Sequence, residues 1–247
     1  MIISHATRHI WSKPCLKNPL DHYGKSDQKK IKKILERAGM LGISYRFEPA
    51  HPDFFDWFQP FYERSLVNKR NPNIANVKEL TVGNADSKLA YKTLTLFENG
   101  QPIGGCIFSD RTDRFSIAYR MFNSRWSQDE RIAGPALYGE YLLDMYSIEN
   151  CKDRLTHGQD RNPYGLNSAI GLAIFKLSIG CYPKIPKERT IEILDTDHLS
   201  QDVLVLLPPQ SGNQIIEANL YTKKDNIRKY EQLFNYSDRL TVHTFYL

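Results

Sequence analysis

Two segments about thirty residues apart carry the side chains from which chemistry could be built. The first, Arg131-Ile-Ala-Gly134-Pro135-Ala136, opens an apolar stretch. A helix start exposes N–H groups that lack intrahelical acceptors and bears the positive end of the dipole. With an arginine beside it and a glycine leaving the backbone uncovered, the pattern Arg-x-x-Gly-x-Ala makes sense as a seat for a pyrophosphate. Pro135 equally suits the first turn of any helix. The second segment runs from Thr156-His157-Gly-Gln-Asp160-Arg161-Asn162 through Phe175-Lys176 to Gly180-Cys181. An imidazole titrating near neutrality can take a proton from an attacking amine, which suits His157. Asp160 could orient that imidazole or select a cationic amine. Lys176 stands among Ile174, Phe175, Leu177 and Ile179, company in which an ammonium could hold or protonate a leaving thiolate. Plainer uses exist for each. His157 could end a strand, Asp160–Asn162 could be the turn that caps a helix at Pro163, and Lys176 could snorkel from an apolar helix.

These side chains need a frame, and hydrophobic periodicity supplies one. Ser26-Asp27 can cap a helix that reaches a Gly39 stop, its stripe being Ile31, Ile34, Leu35 and Ala38 and its lysines solvated. Residues 45–48 alternate like a strand. Pro52 opens an aromatic helix from Phe54 to Leu66 that reads as core, with Pro60 predicting a kink or a break. A short helix near Val77–Leu80 follows. Three strands come next, 91–97, 102–109 and 115–122, the first two joined by an Asn99-Gly100 turn. Tyr119 lies on the third strand, where it could contact substrate or pack as a cross-strand aromatic. Beyond them the pattern predicts a helix over 134–149, a strand over 154–157, a helix over 163–179, strands over 190–194 and 203–207, a helix over 224–234 and a closing strand over 240–246.

Composition excludes some classes. The chain of 247 residues, 41% hydrophobic and 25% charged, is that of an ordinary globular protein. A net charge of +5 favours small anions, nucleic acid or anionic lipid without choosing among them. The four cysteines form no CxxC pair, and Cys106 and Cys181 read as buried small hydrophobes. No HExxH, GxSxG or Cys-His cluster appears, so neither a metal hydrolase nor a Ser/Cys nucleophile is expected, and no metal. The start of the chain lacks the apolar core of a signal peptide and no run is long enough to span a membrane, which makes the cytoplasm the expected location.

The order of elements and the two segments resemble the GNAT acyltransferase superfamily, whose pyrophosphate loop, Arg/Gln-x-x-Gly-x-Gly/Ala, joins the fourth strand to the third helix. Arg131, Gly134 and Ala136 stand at the matching places. The tyrosine that many members carry on a later helix is replaced here by Lys176, with Phe175 beside it. That substitution, with the glycine-ended strand, resembles the Fem-type branch, which includes peptidoglycan aminoacyltransferases and polysaccharide-associated (BioF2-like) acyltransferases. The resemblance covers about residues 45–195.

It implies an α+β (α/β layered) fold with a GNAT-like, mixed, mostly antiparallel central sheet flanked by helices. Residues 1–44 would be an N-terminal extension and 45–247 the acyltransferase domain, of which 196–247 completes the sheet or forms a homodimer edge. The implied reaction moves an acyl group from acyl-CoA, such as acetyl-CoA, to the amino group of a small metabolite or amino sugar by direct attack in a ternary complex. Catalytic candidates are His157, Asp160, Lys176 and Tyr119; Arg131, Gly134, Ala136 and Asn162 are assigned to the donor. An aminoacyl-tRNA or acyl-carrier-protein donor, with the basic stretch Lys29–Lys33 as its only sequence hint, is one alternative. A non-catalytic binding module on the same fold is another.

Overall fold

The computed structural model describes residues 1–67, 74–82, 90–127, 134–187 and 190–247. The chain begins with strands β1 (Ile2–Ala6) and β2 (Arg8–Pro14), a 3-10 turn at Pro19–His22, helix α1 (Lys25–Met40), β3 (Ser44–Pro49), α2 (Pro52–Leu66) and the single turn α3 (Glu79–Val82). A meander follows: β4 (Ala90–Glu98), β5 (Gln101–Asp110) and β6 (Arg114–Phe122). Then come α4 (Pro135–Glu149), β7 (Arg154–Arg161), α5 (Ile170–Ser178), β8 (Tyr182–Lys184), β9 (Ile191–Asp195) and β10 (Val203–Leu206). The chain closes with β11 (Glu217–Thr222), a 3-10 segment over Lys224–Tyr236 and β12 (Thr241–Tyr246). The architecture is mixed α/β, with a mostly antiparallel sheet flanked by helices. It divides into two compact units, a meander unit of Pro14–Leu155 and a terminal unit of Met1–Lys13 with Thr156–Leu247. The opening residues, expected as an N-terminal extension, contain the two strands β1 and β2.

In the meander unit β3, β4, β5 and β6 pair in that order, every pair antiparallel. Side-chain alternation sorts the strands' residues to two faces. Cys106 and Phe108 of β5 join Leu94, Leu96, Phe115 and Ile117 in a core that α1 covers with Ile34 and Ala38, and α4 with Tyr138, Leu142 and Leu143. Ile107, between them in sequence, faces the other way and meets Phe54, Phe55, Phe58 and Tyr62 of α2. The aromatic run is thus core, as its spacing predicted, and of the kink or break expected at Pro60 the break does not occur, since α2 continues through it. Lys29, Lys30, Lys32 and Lys33 are exposed on the outer face of α1. Close approach of β5, β6 and α4 depends on two glycines around one ring. A Cβ at Gly104 would lie 2.4 Å from the Phe122 ring, and one at Gly139 would lie 2.6 Å from it.

In the terminal unit β7, β2 and β8 are neighbours in that order, β1 pairs with β9, and β10, β11 and β12 form a third sheet. Only β11 and β12 pair in parallel among the registers seen here. Asp202 fastens the 3-10 segment to this sheet, accepting from Thr222 Oγ1 at 2.8 Å, Tyr230 OH at 2.9 Å and Asn226 Nδ2 at 3.0 Å. Burial pushes its carboxyl up, but those hydrogen bonds outweigh it and hold the group below the usual carboxylate range. Several elements differ from the sequence reading: β8 was not expected, and the helix expected over 224–234 is a 3-10 segment. The helix expected from Pro163 starts at Ile170, and β11, which went unpredicted, lies between β10 and β12. Among the described residues no helix is long and apolar enough to cross a membrane.

Candidate functional site

The terminal unit holds a buried polar cluster built around Lys176. Helix α5 buries Ile170, Ala173, Lys176 and Leu177. That i, i+3, i+6, i+7 spacing is one helical stripe, so Lys176 lies on the face that packs inward rather than at a solvated edge. An ammonium carried inside must be coordinated or it is costly. Nζ of Lys176 donates to both Asp160 oxygens, at 2.8 and 2.9 Å, and to the backbone carbonyl of His157 at 3.0 Å. Three acceptors match the three N–H bonds of an ammonium. The lysine and aspartate side chains are only 4% and 11% exposed.

From Asp160 the network continues inward. Tyr164 OH donates to Asp160 Oδ2 at 2.7 Å, and Trp11 Nε1 donates to the same phenol oxygen at 2.7 Å. His9 Nε2 lies 2.6 Å from that oxygen. Residues 9 and 11 share a face of β2 because strand side chains alternate. Burial lowers the His9 imidazole to about 3, with the Asp160 charge raising it and the Lys176 charge lowering it by smaller amounts. Burial, and then the Asp160 carboxylate, drive the Tyr164 phenol well above its ordinary range. The phenol thus keeps its single proton and gives it to Asp160. The hydrogen-bond network accordingly assigns the Nε2–H tautomer to His9, so that the phenol oxygen accepts from both Trp11 and His9. Nδ1 of His9 is left buried without a partner among the described residues.

The four proposed catalytic residues are distributed unevenly. Asp160 and Lys176 are in direct contact. His157 joins the cluster through its carbonyl, while its imidazole is buried and the Asp160 carboxylate is engaged by Lys176 and Tyr164. Tyr119 belongs to the meander unit, where its ring meets Tyr62 edge-on at 5.7 Å. Burial, with the neighbouring charges of Tyr91 and Glu79, raises its phenol above the ordinary value.

Of the donor assignments, Arg131 lies outside the described residues. Gly134 is the N-cap of α4 and has no side-chain cap. Its lack of a Cβ has a packing reason that the sequence did not suggest: a Cβ there would lie 2.3 Å from Trp126 Nε1. Trp126 is fully buried and its Nε1–H has no acceptor among the described residues. Because the helical ladder opens with Tyr138 N donating to Gly134 O, the N–H groups of Ala136 and Leu137 have no intrahelical acceptor. Ala136 is partly exposed, whereas Gly134 is buried. Asn162 is engaged inside the fold: its Nδ2 donates to Ala6 O at 3.1 Å and Leu206 O at 3.0 Å, and its Oδ1 accepts from Leu206 N at 3.2 Å. Both amide hydrogens are committed, so the side chain ties β1, β7 and β10 together instead of reaching for a donor.

Sequence reasoning missed His9, Trp11 and Tyr164. The alternation of His9 and Trp11 was visible, as was Tyr164 four residues beyond Asp160, but no spacing showed that β2 and β7 are neighbours.

No family model matches the chain, and no curated protein matches it. Solved structures do. A crystal structure of FemX superposes with a TM-score of 0.53 at 11% identity, over 72% of this chain and 59% of that one. The fold is Fem-like. A conserved protein of unknown function from Bacteroides thetaiotaomicron superposes with a TM-score of 0.51 at 15% identity, over 78% of this chain and 61% of that one. The chain thus spans about 60% of the length of the structures it resembles, and at these identities the likeness concerns the fold.

Proposed function

We propose that the chain is an N-acyltransferase that moves an acyl group from an acyl-CoA thioester to the amine of a small metabolite or amino sugar. The observation that carries the reading is the Lys176–Asp160 ion pair, an internal lysine fully coordinated on α5 of a Fem-like fold. In the reaction the amine nitrogen attacks the thioester carbonyl carbon. A tetrahedral oxyanion forms, the C–S bond breaks, CoA leaves as the thiolate and the amine proton passes to a base. Chemistry of this kind asks for positive charge that is already fixed in place as negative charge develops. Lys176 supplies such a charge, and Asp160 holds it against rotation. His157 remains the candidate base. The reading assigns the donor's pyrophosphate to the start of α4, where Ala136 and Leu137 offer N–H groups; Arg131 would add charge there.

Isothermal titration with CoA and acetyl-CoA tests the donor. Micromolar to low-millimolar binding that is weakened by Ala136→Pro, which bars one of those N–H groups, is the expected result. No heat at millimolar ligand would sink the CoA reading. The likeness to FemX and the exposed lysines of α1 favour a second reading, in which the donor is an aminoacyl-tRNA. Binding to bulk tRNA with a steep salt dependence, lost on neutralising Lys29, Lys30, Lys32 and Lys33 together, would favour it over the first.

A further inference from the structure

A second polar site lies in the terminal unit, on the opposite strand faces from the Lys176 cluster. Alternation along β2 puts Arg8 on the other face from His9 and Trp11, and alternation along β7 does the same for Arg161 and Asp160. β2 and β7 are neighbours, so each contributes one guanidinium to the same side. Both line a cavity of about 300 Å³ together with Thr7, Asn162, Asn167, Thr190 and Glu192. The volume is at the small end of the range for ligand pockets, about 300–1,000 Å³.

The walls of this cavity are fixed. Asn162 N donates to Thr7 O at 2.9 Å and Thr7 N donates to Thr190 O at 3.0 Å, which pins three separate segments at one point. The buried Asn162 carboxamide binds Ala6 and Leu206 beneath them. Thr7, Asn162 and Asn167 are hydrogen-bonded within the fold, and the charged groups differ from them. Among the described residues neither Arg8 nor Arg161 has an ion-pair partner, and neither does Glu192, although all three line the same space. Two like charges brought together on a rigid floor repel each other, and a ligand anion between them removes that repulsion. A carboxylate is satisfied by one guanidinium fork, whereas a tetrahedral phosphate offers oxygens to two. Glu192 and the Thr190 hydroxyl then face whatever carries the phosphate, and a carboxylate in that place favours a hydroxyl-bearing group over an apolar one.

We propose that this cleft is a binding site for a phosphate monoester of a small polyhydroxylated molecule, with Arg8 and Arg161 holding the phosphate and Glu192 reading a hydroxyl. The proposal does not depend on acyl transfer, because its test contains no acyl donor. Titration calorimetry of the whole protein with ribose 5-phosphate, inorganic phosphate and ribose separates the contributions. Ribose 5-phosphate should bind more tightly than inorganic phosphate, and ribose should give no heat. Arg8→Gln and Arg161→Gln should each weaken ribose 5-phosphate by about 10-fold or more, as expected for loss of a charge-assisted contact. Both positions are exposed, so the thermal midpoint should not move. Glu192→Gln should reduce the preference for ribose 5-phosphate over inorganic phosphate. Equal affinity for the two phosphates, or binding that survives the loss of both arginines, would overturn the assignment, as would the absence of heat with either phosphate at millimolar concentration.

Discussion

Replacing Lys176 by methionine removes the ammonium while keeping the length and apolar character of the stem. Among the described residues Asp160 would then retain only the Tyr164 hydroxyl as a partner, on a side chain that is 11% exposed. Removing one member of a buried, hydrogen-bonded ion pair costs about 3–5 kcal/mol, most of it the penalty for the charge left behind. The upper part of that range applies if the carboxylate stays dry. With a urea m-value of about 2 kcal/mol/M, the midpoint of the terminal unit should fall by roughly 1.5–2.5 M. Trp11 is a suitable reporter, since it is fully buried and its indole N–H is held by Tyr164 within the same network. The double variant Lys176→Met, Asp160→Asn removes both charges and leaves an amide oxygen for the Tyr164 proton, so it should recover about half of the loss or more. A single-variant shift under about 0.5 M would refute the argument, because a pair worth so little must be solvated in a way this packing does not allow.

Protonation of His9 gives a pH signature. Its folded value of about 3 lies below the 6.5 of an unconstrained imidazole, so between those values the unfolded chain binds the extra proton. Stability is therefore unaffected above about pH 6.5 and falls by up to about 1.4 kcal/mol per pH unit below it; His9→Gln should flatten the slope of urea midpoint against pH between 6.5 and 4, and an unchanged slope would remove His9 from the network. Gly104→Ala should destabilise the meander unit by about 1–3 kcal/mol through the Phe122 ring and backbone, whereas Gly171→Ala, with open space around it inside α5, should be neutral or stabilising by up to about 1 kcal/mol; thermal melts of both variants decide, and equal effects would refute the close-approach argument. In native protein a thiol reagent should label exposed Cys151 first and half-buried Cys15 more slowly, leaving Cys106 and Cys181 until unfolding, and mass mapping of early labelling at Cys106 would contradict its burial.

The parts of the fold legible in the sequence were those fixed by local pattern. The meander, its Asn99-Gly100 turn, the stripe of α1 and the aromatic face of α2 all follow from residues that are near neighbours in the chain. What sequence could not show depends on which segments meet. Residues 1–14 read as irregular because β1 and β2 find their partners, β9 and β8, far along the chain. The segment after Asn162 read as helix from its cap residue, but Tyr164 instead pairs with Leu204 and sends its hydroxyl to Asp160. Lys176 was singled out by its apolar company and by its place in the family resemblance, and the structure adds the reason a lysine is tolerated there. The same holds for Gly134. The residue was read as leaving the backbone uncovered for phosphate, and the structure adds a packing reason for the missing Cβ, the Trp126 ring.

The coordination of Lys176 also limits the role it can have under the proposed reaction. An ammonium whose three N–H bonds go to Asp160 and the His157 carbonyl has no proton aimed at a leaving group until one of those contacts breaks. Breaking one exposes a buried carboxylate, a cost of the same order as a tenfold to thousandfold change in rate. A fixed positive charge needs no such movement, since its field acts through space on the developing oxyanion or thiolate. Lys176 is for that reason better suited to electrostatic stabilisation than to proton donation. Lys176→Arg, which keeps the charge but not the point geometry, should then retain more turnover than Lys176→Met, while a proton donor replaced by arginine, which does not deprotonate, would lose as much in either variant.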